Sequence, residues 1–181
     1  MGSISTSMNS MAPKLWQEML TGNDGAPIND LLKEQYDVIY GSWPNSYDEI
    51  VLVVDENNEL DDITLYALGL LPEANIEELM DAAMNGTELE VEENKWTYEE
   101  ICNMEFKTVL NADCYAYDEA TGLYTDLRET EAGLRYLYDN AMTLKVTGII
   151  RPNEDATAAM LRGNIGYTKM LTEYLIKKAD G

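Results

Sequence analysis

The sequence predicts an α+β domain in which helices pack on a mixed, mainly antiparallel sheet. Three observations carry this. The run Glu49-Ile50-Val51-Leu52-Val53-Val54-Asp55 is continuously apolar and rich in β-branched residues, as a strand buried on both faces must be. Several segments with helical spacing begin at polar caps and end at glycines. Strand-like segments outnumber the crossover helices that a doubly wound parallel sheet needs. No internal repeat is visible.

Residues 1–10 are small and polar and are expected to form a loose tail, with Met1-Gly2-Ser3 reading as an expression remnant. Residues 11–181 are then one domain, long enough for a single core. Residues 11–20 are expected to form a short helix carrying Leu15, Trp16 and Met19 on one side. The Gly22-Asn23-Asp24-Gly25-Ala26-Pro27 stretch is a loop by composition. Asn29 or Asp30 caps a short helix over residues 31–35, and residues 36–40 alternate as a strand. The turn at residues 41–46 leads to the strand at 49–55, whose composition puts it at the sheet centre.

Asp61 or Asp62 caps a helix over residues 63–68, with Gly69 at its end. Asn75 and Glu78 open another that Gly86 ends, with Ile76, Leu79, Met80 and Ala83 as its apolar stripe. Residues 89–91 read as an edge strand. Thr97 and Glu100 form a second capping-box pattern. Residues 104–110 and 114–117 read as strands, and 123–127 pair back on the latter across a turn at 118–122. Residues 130–142 are helical, with Leu134, Leu137, Tyr138 and Met142 facing inward. Residues 144–150 form a late strand. The last helix is expected over residues 167–178, with Leu171, Tyr174 and Leu175 inward and Lys177-Lys178 at the negative end of its dipole.

Twelve Lys and Arg against 34 Asp and Glu give a net charge of −22, and there is no His. Such a chain repels nucleic-acid phosphates and anionic membrane surfaces, so neither is an expected partner. Its 45% hydrophobic content is that of a folded protein rather than an acidic disordered tail. Fifteen acids and one cation, Lys95, fall between Asp55 and Glu100, so the balance is −14 there and −8 elsewhere. No stretch approaches the roughly 18–20 apolar residues of a membrane-spanning helix. Cys102 and Cys114 are too few for a disulfide framework, which favours free thiols, and without His they make a poor zinc site.

The loop from Asp55 to Asp61 sets oxygen ligands at alternate positions, as a calcium loop does. However, Leu60 stands where such a loop needs glycine and Tyr66 where it needs glutamate. An acidic turn leading into a capped helix is the main reading and a weak calcium site the other. Lack of His removes Ser-His and Cys-His nucleophiles. Gly163-Asn164-Ile165-Gly166 has neither the spacing nor the lysine of a phosphate loop. Among 34 acids some pair always sits at a glycosidase spacing, so a carboxylate pair carries no signal. No enzyme, metal or cofactor is expected. Twelve Tyr against one Phe is a bias toward a residue common at recognition surfaces, although most are expected at sheet edges and the core rim.

Three ordered segments carry a family resemblance. Residues 35–55, with Gly41-Ser42-Trp43-Pro44-Asn45-Ser46 at their centre, continue through Asn57-Asn58-Glu59 into residues 64–70. Trp96-Thr97-Tyr98-Glu99-Glu100-Ile101-Cys102-Asn103 is followed by Phe106-Lys107-Thr108-Val109-Leu110. Residues 144–156, which include Arg151-Pro152-Asn153-Glu154, run on to 163–168 and 171–176. Together, over about residues 11–178, they resemble the large extracytoplasmic loop of MacB/FtsX-type ABC transporter permeases of Gram-positive Firmicutes. The resemblance implies a non-catalytic domain between the first two membrane helices of a larger permease, at the extracellular face of the plasma membrane. Its partners would be the rest of the permease, a cytoplasmic ATPase subunit, and a substrate or protein outside the cell. No catalytic residue carries over.

Two turns beside strong strands are the candidate partner-binding positions. One is aromatic, Trp43 and Pro44 with Tyr47; the other is polar, Arg151, Asn153 and Glu154. The competing reading is that both turns only shape loops, since Pro44 and Pro152 fix turn geometry. The alternative to the permease is a free-standing acidic protein-binding module, including a nucleic-acid mimic that occupies a basic partner. A carboxylate hydrolase is the third hypothesis.

Overall fold

A computed structural model describes residues 15–70, 81–82, 84–86, 95–156 and 159–179. Its strands are β1 (Trp16–Glu18), β2 (Tyr36–Gly41), β3 (Glu49–Val53), β4 (Glu105–Thr108), β5 (Tyr115–Asp118), β6 (Leu123–Asp126), β7 (Met142–Pro152) and β8 (Ile165–Tyr167). Its helices are α1 (Asp30–Gln35), α2 (Asp62–Ala67), α3 (Tyr98–Cys102), α4 (Glu131–Asn140) and α5 (Lys169–Ala179). The main sheet runs in the order β1-β8-β3-β7-β2, with β4 also on β7, and β5-β6 form a separate hairpin. The β1-β8 and β3-β7 pairs are parallel and the others antiparallel. The expected α+β class, with a mixed, mainly antiparallel sheet, is what the chain adopts.

The local signals place the capped elements. Asn29 accepts a hydrogen bond from the Leu31 amide and starts α1. Asp61 accepts one from the Thr64 amide at 2.6 Å and starts α2, which Gly69 follows at φ 73°. Thr97 and Glu100 bond reciprocally at the head of α3, the capping box in full. The expected Asn75-capped helix is described only at its end, where residues 81–82 and 84–85 are helical and Gly86 has φ 65°. Its cap, most of its apolar stripe and the expected edge strand at 89–91 lie outside the described residues.

Strand β3 is buried on both faces, between β8 and β7. Ile50, Leu52 and Val54 join one core cluster with Leu68, Ile101 and Leu171, contributed by the ends or bodies of α2, α3 and α5. Val51 and Val53 join the other with Met19, Ile28, Leu32, Tyr36 and Leu161. A continuous apolar strand is thus covered from both sides. In β7, Leu144 and Val146 share a cluster with Ile149, which breaks the strand's alternation by one residue. The register of β3 on β7 shifts between Ile50 and Val51, passing from Val146 to Gly148, and this bulge reverses the parity.

Three expectations are corrected. Residues 16–18 are not helical: β1 lies parallel on β8, with Trp16 opposite Ile165. Leu15 and Met19 have helical spacing, but Gln17 donates to the Met160 carbonyl and accepts from the Arg162 amide, so non-local pairing outweighs local propensity. Tyr167 belongs to β8, and the last helix begins at Lys169. On α4 the buried residues are Gly133 and Leu137, whereas Leu134 and Tyr138 are exposed and Met142 opens β7. A Cβ at position 133 would collide with the Leu127 carbonyl. The bare glycine therefore selects the face, turning the apolar stripe away from the one that spacing suggested.

Candidate functional site

The two turns singled out in the sequence lie at opposite ends of one strand pair. In the β2-β7 register Tyr36 faces Pro152 and Gly41 faces Gly148. Five residue steps at about 3.4 Å separate the two ends by about 17 Å, so the structure does not bring the turns together.

In the aromatic turn, Pro44 is buried and Trp43 is half-buried against the second core cluster. The exposed member is Tyr47, whose ring stacks on Tyr174 of α5 at 4.3 Å between centroids. Asn45 donates its amide to the Glu49 carboxylate at 2.7 Å, and the Ser42 amide reaches the Thr147 carbonyl at 2.9 Å. In the polar turn, Arg151 donates to the Asn58 side chain at 2.9 Å, not to an acid. Asn153 donates to the Glu34 carbonyl at 2.6 Å through its amide side chain and to the Gln35 carbonyl through its backbone. Asn153 thereby ties the end of β7 to the end of α1. Glu154 is exposed.

The acidic loop turns its oxygens on its own backbone. Asp55 accepts from the Asn57 amide at 2.9 Å and the Glu59 amide at 2.8 Å. Asp61 is taken by its capping bond. Among the described residues no group of three or more acids or cysteines could hold a metal ion. Cys102 and Cys114 are free thiols, and burial pushes both above the usual thiol range.

Two surface features emerge that the sequence did not single out. The first is an apolar groove of about 630 Å³ whose lining includes Trp16, Leu110, Met142, Leu171, Leu175 and Ile176. The Trp16 and Tyr167 rings meet there at 6.5 Å, and burial raises the Tyr167 phenol. Lys178 of α5 is paired with Asp113 at 2.6 Å, joining the helix end to the segment beside Ala112 in the groove wall. The start of β1 and the last turns of α5 thus sit side by side. Such a lining offers packing surface, with Thr108, Asn111 and Thr172 as polar members.

The second is the β5-β6 hairpin, exposed along nearly its whole length. Its register sets Tyr115 opposite Asp126 and Tyr117 opposite Tyr124 on one face. The Tyr117 and Tyr124 rings are 5.0 Å apart and tilted by 47°. Arg128 lies over the Tyr115 ring at 5.2 Å and donates to Asp126 at 2.8 Å. That guanidinium holds the Asp126 carboxyl below the usual carboxylate range, and the Arg128 backbone amide adds to the effect. At the tip, the Ala120 amide donates to Asp118 and lowers its carboxyl as well. Seven of the twelve tyrosines are exposed, and three of them stand on this hairpin. The tyrosine bias was legible in the sequence; the alignment of these three on one face of the ribbon follows from the hairpin register.

No family model, curated protein or solved structure matches the chain.

Proposed function

We propose that the chain is a non-catalytic recognition module, the extracytoplasmic part of a MacB/FtsX-type ABC transporter permease. It engages a substrate or protein outside the cell and is coupled to a cytoplasmic ATPase subunit. The observation that carries this reading is the proximity of the two ends of the described fold. Trp16, opening β1, and Ile176, near the end of α5, line the same groove. A domain inserted between two membrane helices needs its entry and exit on one side. The ordered resemblance of three segments and the exposed tyrosine ribbon support the same reading.

The test is the complete gene with its neighbours. Stretches of about 20 apolar residues on both sides of this domain, beside a gene for an ATPase, are the expected result. A stand-alone reading frame of 181 residues would overturn it.

The alternative is a free-standing acidic binding module, favoured by the −14 balance between Asp55 and Glu100. It requires a basic partner whose capture weakens as salt is added.

A further inference from the structure

We infer that the tyrosine face of the β5-β6 hairpin is a docking surface for a basic, extended peptide segment of a partner protein. The inference rests on reading the chain as a recognition module, not on its membrane context.

The first observation is the state of the rings. Tyr117 is 56% exposed and Tyr124 69%, although they form a close cross-strand pair. A two-stranded ribbon is marginal alone in water, and this one leaves its largest apolar groups uncovered. The second is how the protein treats other exposed tyrosines. Arg128 covers Tyr115 at 5.2 Å, and Lys107 covers Tyr138 at 5.5 Å. No cation of the described residues covers the Tyr117–Tyr124 pair in the same way. Arginine over Tyr115 shows which group this face accepts, and the next rings along the ribbon present equivalent sites.

The third observation is charge. The tip beside the pair carries Asp118 and Glu119, and the whole chain stands at −22. The field therefore draws cations toward the rings and repels anions. Among the described residues neither strand of the hairpin pairs with the main sheet, and each has an outer edge on which an extended segment can lie. Rings, charge and edge together fit Lys or Arg side chains projecting from an extended backbone. A lipid surface is the poorer occupant, because Asp118 and Glu119 would have to approach the headgroups.

The test titrates the whole chain with an alternating Arg-Gly heptapeptide, followed by NMR, with a Glu-Gly heptapeptide as control. Shifts should centre on residues 115–126, with no binding of the acidic peptide. The double variant Tyr117→Leu/Tyr124→Leu keeps every charge and should bind about tenfold more weakly. Tyr117→Phe/Tyr124→Phe keeps the rings and should bind like the parent. Tyr124→Trp should bind more tightly. Equal binding by the leucine variant, or no gain with tryptophan, would overturn the inference in favour of charge alone. Shifts centred elsewhere, or capture of the hairpin by phosphatidylcholine vesicles in place of the peptide, would overturn it too. A failed peptide titration leaves any flanking membrane helices in the gene untouched, so the two readings fail separately.

Discussion

Gly41 and Gly148 face each other across the β2-β7 pair, and neither position has room for a side chain. A Cβ on Gly148 would strike the Ser42 carbonyl, and one on Gly41 would strike the Thr147 carbonyl. Gly41 also sits at φ 72°, in the left-handed region. This close approach is where β2 ends and the Trp43 turn begins.

Alanine at either position should therefore destabilise the fold by about 2–4 kcal/mol, since the obstacle is backbone and cannot rotate away. Gly122 in the hairpin turn provides the contrast: its φ is 69°, but no described residue lies within 4 Å of an added Cβ. Gly122→Ala should cost only about 1 kcal/mol, the left-handed penalty by itself. Urea midpoints for the three variants measure the difference. Equal losses would mean that conformation, not the close approach, sets the cost.

Tyr36 is 2% exposed, and its hydroxyl accepts the Leu161 amide at 2.9 Å, joining segments 125 residues apart. Tyr36→Phe would leave that buried amide without an acceptor. The expected loss is about 1–2 kcal/mol, with faster hydrogen exchange at Leu161 than at neighbouring amides. An unchanged exchange rate would show that the bond is not what protects the amide.

Thr64 presents the opposite case. It is fully buried in α2, and its hydroxyl has no hydrogen-bond partner among the described residues. Valine has nearly the same shape without the stranded oxygen, so Thr64→Val should raise stability by about 1 kcal/mol. A lower thermal midpoint would mean that the hydroxyl is satisfied in solution.

The carboxylates of Asp126, Glu100 and Asp118 are all held below their ordinary range. The causes are, first, the Arg128 side chain for Asp126, the Thr97 amide for Glu100 and the Ala120 amide for Asp118. A carboxyl with a depressed folded pKa contributes stability that is present above its unfolded value, near pH 4, and lost as pH falls through the folded value. Stability should thus decline below about pH 4, and Asp126→Asn should make the decline shallower. NMR titration of Asp126 is the direct check, and an ordinary carboxyl pKa there would contradict the Arg128 pairing.

The parts of this fold that were legible beforehand rest on short-range chemistry. The Asp61 and Thr97 caps each act across three residues, so their sequence patterns nearly specify their bonds. The hairpin over residues 115–126 was announced by its turn at 118–122 and its flanking aromatics. The candidate sites were less legible. Trp43 and Pro44 read as an aromatic partner-binding turn because the sequence does not reveal that Trp43 packs on the second core cluster and Pro44 is buried. Nothing local marks the groove, whose walls come from β1, β4 with the segment after it, β7, β8 and α5.

By itself the sequence determined that β3 is covered on both faces, because its unbroken apolar run leaves no side fit for water. It also placed the caps of α1, α2 and α3 to within one residue and gave the chain a strong negative field. Only the tertiary structure decided that residues 16–18 and 165–167 are strands. Three residues cannot display a period, and each is held by a partner far away in the chain. It also decided the inward face of α4, through the close fit of Gly133 on Leu127, and the parity of β7, through its bulge. Finally, it decided that Tyr115, Tyr117 and Tyr124 share one face of the hairpin. That outcome depends on which residues stand opposite across the β5-β6 pair, and register is a property of two strands rather than of either one.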